Sequence, residues 1–114
     1  MEPTAYYELR CAVSEMFYEV LLEEGYTIGQ ATGRCLVEFR SEAQGAGRDA
    51  LVVLSVLLSL VARHEPGTLA RFRPEVEALR ALGKKSGCWR GLASGEKARM
   101  QEDLRFVLEK AQAS

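Results

Sequence analysis

The chain has 114 residues, is 47% hydrophobic and 27% charged, and sets 15 Lys and Arg against 16 Asp and Glu for a net charge of −1. A single domain (1–114) of this size buries roughly two-thirds of its unfolded surface, so it needs neither disulfide staples nor a structural metal. Its apolar content excludes a disordered chain, and its balance of charge does not fit a dedicated nucleic-acid binder, which is basic overall.

Met1 is followed by Glu2 and Pro3, without the basic start and apolar run of a signal peptide, so a cytoplasmic protein is expected. Cys11, Cys35 and Cys88 are odd in number and lack metal-ligand spacing; with His64 as the one histidine, neither a zinc site nor a cofactor is expected. Charge is unevenly spread: residues 1–57 hold nine acids against four bases, and residues 58–114 hold seven acids against eleven bases. Such polarity suits either a charged partner or attraction between two halves of one fold.

In chain order, the first predicted helix runs from about Thr4 to Glu24 and stops at Gly25, a residue suited to a left-handed cap. Tyr6, Leu9, Val13, Met16, Phe17 and Val20 form its core stripe at helical spacing. Glu8, Glu15, Glu19 and Glu23 gather elsewhere, beside a weaker apolar strip of Tyr7, Cys11, Tyr18 and Leu22. Such width means a second helical neighbour or an exposed patch.

Thr27 to Gln30 fits a capping box, so a second helix is predicted from Ile28 to about Arg40. Its core positions are Ile28, Thr32, Cys35, Leu36 and Phe39, and Gly29 and Gly33 imply close approach of another helix backbone. Ser41 to Gly47 reads as a flexible connection. The third helix, Arg48 to His64, contains ALVVLSVLLSLVA at 50–62, thirteen positions without charge. A membrane span needs ~20 apolar residues, so this is a helix wrapped on all sides by its own domain. Ser55 and Ser59 can return their hydroxyls to carbonyls of the preceding turn.

Thr68 to Phe72 suits a short helical turn, and Pro74 opens a fourth helix to Leu82 with Val76, Leu79 and Leu82 inward. Gly83 to Ala93 is the longest irregular stretch. Ser94 caps a last helix through about Ala111, with Met100, Leu104, Val107, Leu108 and Ala111 as its stripe. The prediction is an all-α bundle of about five helices around the 50–62 segment.

Residues that carry chemistry are sparse. His64 sits at a helix end, where a histidine ordinarily meets the helix dipole, and no nucleophile elbow accompanies it. Cys88 has no Cys/His arrangement around it. One histidine cannot furnish the paired Glu-x-x-His motifs of a helical di-metal site, and no glycine spacing fits a phosphate loop. No enzyme is expected. The Glu8–Glu23 face with Tyr7 and Tyr18 is the first candidate partner surface, and Lys84, Lys85, Trp89 and Arg90 are the second. The basic series, which also includes Arg71, Arg73 and Arg80, leaves a nucleic-acid alternative, and the apolar strip leaves a homodimer.

Two segments, LLEEGYTIGQATGRCLVEF (21–39) and GRDALVVLSVLLSLVARHEPG (47–67), give the chain a profile that resembles small helical immunity proteins, the cytosolic antidotes of bacterial toxin systems. The resemblance spans most of the chain but carries over no individual residue. It implies a non-enzymatic protein that binds a secreted toxin domain one-to-one and blocks its active site.

Overall fold

The computed structural model describes residues 4–113, which form six α-helices and no strand. They are α1 (Ala5–Leu22), α2 (Ile28–Glu38), α3 (Arg40–Ala43), α4 (Arg48–His64), α5 (Arg73–Gly83) and α6 (Ser94–Ala113), with 3₁₀ turns at Pro66–Phe72 and Ser86–Trp89. The fold is the expected all-α bundle, with one short helix added. Met1 to Pro3, read above as lacking a signal peptide's start, lie outside the described residues.

α4 is the axis of the molecule. No residue from Ala50 to Ala62 is more than 7% exposed, and α4 touches all five other helices. Enclosure on every side removes the need for a polar face, which is why its sequence shows none. Its two hydroxyls are satisfied locally: Ser55 Oγ donates to the Val52 carbonyl (3.1 Å) and Ser59 Oγ to the Val56 carbonyl (2.7 Å). Asp49 in the first turn and Arg63 and His64 in the last are exposed and match the helix dipole. No described helix is long and apolar enough to cross a membrane.

Between α1 and α2 the chain turns through Gly25, at φ +70°, and the Tyr26 N–H bonds back to the Val20 carbonyl at 3.1 Å. The Thr27 capping box forms as expected, with bonds of 3.1 and 2.9 Å between Thr27 and Gln30. The glycines of α2 differ from expectation. A Cβ on Gly29 would lie 3.2 Å from Arg71 Nη1, a side-chain neighbour, and Gly33 has nothing within 4 Å. α2 buries Ala31, Thr32 and Cys35, and it ends two residues early because Phe39 leaves helical geometry (φ −105°, ψ 31°).

The stretch expected as a flexible connection restarts at once as α3, so only its second half is irregular. Gly83 ends α5 hard against α6: a Cβ there would meet Leu104 Cδ2 at 2.6 Å. The cap of α6 is also a correction. Ser94 is already helical, and the free N–H of Ala93 is met by Glu96 Oε1 at 2.9 Å. A carboxylate at that offset does the work expected of the serine.

α1 is fastened to α6 through its N-terminal half. Thr4 caps it by accepting the Tyr7 N–H (3.1 Å), and donates its own hydroxyl to Glu96 Oε2 (2.8 Å). Arg10 Nη1 binds Asp103 Oδ2 at 2.8 Å and donates to the Tyr6 hydroxyl at 3.4 Å. Asp103 is nearly buried, and Arg99 Nε approaches its other oxygen at 3.8 Å.

Candidate partner-binding surface

α1 buries Tyr6, Val13, Phe17 and Val20, with Leu9 and Met16 half-buried beside them. The second strip is turned outward. Tyr7 is 56% exposed and Leu22 76%, while Cys11 and Tyr18 are half-buried between them. Glu8, Glu15, Glu19 and Glu23 are all exposed along its edge. Ser14, Glu15, Tyr18, Glu19, Leu22 and Glu23 border one open depression, so sequence spacing did bring most of this candidate set together. The pKa of the Tyr7 phenol is raised above its ordinary value, chiefly by the neighbouring Cys11 side chain one turn along, with Glu15 adding to the shift.

Tyr18 has a structural duty that sequence reading missed. Its hydroxyl and His64 Nε2 share a hydrogen bond of 2.8 Å, and its ring stands edge-on to His64 (5.6 Å, 85°) and to Phe17 (5.4 Å, 87°). His64 in turn stacks on Phe17 at 6.2 Å. The pair pins the C-terminal half of α1 to the end of α4, across a sequence gap of 46 residues that no local pattern could reveal. Tyr18 therefore presents one part of a ring already held in place, and a fixed aromatic binds with little loss of rotamer freedom.

Among the described residues, no salt bridge involves Glu8, Glu15, Glu19 or Glu23. The ion pairs also bear on the two oppositely charged halves. Arg34–Glu38, Arg80–Glu77 and Arg99–Asp103 are local, and Arg10–Asp103 joins the halves with the base on the acidic side. No described pair joins an acid of residues 1–57 to a base of residues 58–114. The acidic excess stays on the surface.

The second candidate set is arranged differently. Lys84, Lys85 and Arg90 are exposed, but Trp89 is half-buried and donates its indole N–H to the Gly83 carbonyl at 3.1 Å. Cys88 is buried, its thiol against the Ala46 carbonyl at 3.4 Å. This loop packs on α4 and α5, whereas α1 packs on α2 and α4 and bonds to α6, so nothing joins the two sets into one site. Val37, on α2, is 54% exposed and was not singled out; its place off the Cys35–Leu36 stripe was the available signal. Among the described residues no group of three or more His, Cys, Asp or Glu is placed to hold a metal ion.

Comparison with family profiles, curated proteins and solved structures returned no significant match to the chain.

Proposed function

We propose that this protein is a non-enzymatic binding module that acts through the outer face of α1, and that it is an immunity protein neutralising a cognate bacterial toxin in the cytoplasm. The observation that carries the reading is the join of an exposed Tyr7–Leu22 strip to four glutamates without an ion pair. An apolar centre with a charged rim is the anatomy of a protein interface, where the rim sets association rate and partner choice and the centre carries affinity. A partner with a basic rim fits this face. A second copy fits it poorly, because a symmetric pairing brings two glutamate rows together. The nucleic-acid alternative is weakened by Trp89, whose half-burial leaves the basic loop without a freely exposed stacking ring.

The test is co-expression with the product of the neighbouring gene. Rescue of growth together with a one-to-one complex supports the reading, and failure of both overturns it. Within such a complex, Glu15→Lys with Glu19→Lys slows association about tenfold at low salt without unfolding the chain. Unchanged kinetics would remove this face from consideration.

A further inference from the structure

The outer face of α1 specifies more than the sign of its partner's charge. Tyr7, Cys11, Ser14, Tyr18 and Leu22 follow one another at steps of four, three, four and four residues, the spacing of a seam between two helices. The residue after Tyr7, Ser14, Tyr18 and Leu22 is in every case an exposed glutamate: Glu8, Glu15, Glu19 and Glu23. Each helical residue is turned about 100° from the one before, so the acids form a single row along one side of the seam. The residues before Tyr7, Ser14 and Tyr18 are Tyr6, Val13 and Phe17, all buried in the core. The seam is thus a shelf, with the body of the molecule on one side and a row of acids on the other.

The shelf has relief and length. Tyr7 and Tyr18 stand at either end of the small Cys11 and Ser14, and an open depression lies beside Ser14, Tyr18 and Leu22. Both are seats for aliphatic side chains of a partner. From Tyr7 to Leu22 the seam spans roughly 22 Å, at a rise of about 1.5 Å per residue. α1 closes its own backbone hydrogen bonds, so the shelf offers nothing to the open N–H and C=O groups of an extended strand. A helix, whose backbone is likewise closed, loses no hydrogen bond by lying there.

We propose that this shelf docks one amphipathic helix of about four turns, with an aliphatic stripe against Tyr7–Leu22 and a row of Arg or Lys on the flank that meets the glutamates. This goes one step past the partner-binding reading of α1, on which it rests, by giving the form of the partner's contact. Charge complementarity selects the occupant. None of the four glutamates has an ion pair within the described residues, so a basic row meets no competitor, whereas a second copy of α1 brings acids to acids.

The test is a backbone-amide NMR titration of the full chain with blocked peptides of about 18 residues, long enough to span the seam. They share one leucine stripe at three- and four-residue steps and differ in the row on one flank: Arg, Gln or Glu. Saturable shifts at Ser14, Tyr18 and Leu22 are expected with the Arg peptide, about fivefold weaker binding with the Gln peptide, and none with the Glu peptide. A pair of prolines at the centre of the Arg peptide breaks its helix, keeps its charge and abolishes binding. Glu15→Gln with Glu19→Gln removes the advantage of Arg over Gln, and Tyr7→Ser with Leu22→Ser weakens both peptides about tenfold. No saturable shift, equal binding of the Glu peptide, or binding that survives the prolines overturns the proposal. So does a dimer of the chain alone, seen by light scattering, that Leu22→Lys dissociates, because the shelf then holds a second copy. The partner-binding reading fails separately, through unchanged kinetics of the Glu15→Lys, Glu19→Lys variant with the neighbouring gene's product. Slowed kinetics there without peptide binding sinks the helical occupant alone.

Discussion

α4 and α1 are nearly the same length, 17 and 18 residues, yet they divide their surfaces in opposite ways. α4 is enclosed on every side and carries its charges at its ends. α1 buries one stripe and leaves a second apolar strip in solvent beside a row of acids. The contrast teaches that hydrophobicity alone does not mark a functional surface. The helix with the uninterrupted uncharged run, 50–62, is consumed by packing, and the one whose apolar residues alternate with charges keeps a face to offer.

The contrast is broken most directly in α4. Leu57→Ala opens a cavity in a fully buried site and lowers stability by about 3–5 kcal/mol in urea unfolding. A loss under ~1 kcal/mol would mean that α4 is not the structural centre. Next is the inner side of α1. Asp103→Ala leaves Arg10 without its partner in a site where its side chain is 18% exposed, and costs about 2 kcal/mol, below the ~3–5 of a fully buried pair. A double-mutant cycle with Arg10→Met measures the coupling, and additive losses would show that the pair does not fasten α1 to α6.

A pH experiment separates the cysteines. Burial pushes the Cys35 thiol up to about 12 from an ordinary value of 9.0. The unfolded chain therefore gives up this proton first, so the contribution is whole below pH 9 and is lost as pH rises toward 12. Cys35→Ala shows a shallower alkaline loss of stability than the parent, and alkylation of the native protein reaches half-buried Cys11 before buried Cys35 or Cys88. An identical alkaline slope in both proteins would contradict the burial. The smallest expected effect is on the outer face: Leu22→Ser and Tyr7→Ser each change stability by no more than ~0.5 kcal/mol. A larger loss in thermal or urea unfolding would show that the strip is covered within the molecule.

Features that depend on neighbours in sequence were legible. The bounds of α4, the Thr27 capping box and the Ser55 and Ser59 back-bonds follow from spacing of a few residues, and so does the gathering of glutamates on α1. What escaped depends on contacts across the fold. Tyr18 with His64, Arg10 with Asp103 and Trp89 folded onto Gly83 are decided by tertiary approach, which periodicity does not encode.

The double tie of Thr4 to Glu96 and Arg10 to Asp103 has a kinetic consequence. Both partners rise in number together, so α1 and α6 run in the same direction, joined by contacts more than 90 residues apart in sequence. Pairings that distant form late, because a long loop must close before they repay its entropy. The N-terminal half of α1 thus leaves the ribosome well before α6 but gains these two ties only once α6 has emerged. Until then α1 is held by its packing on α2 and α4 alone, so its first turns are the part of the helix that closes last.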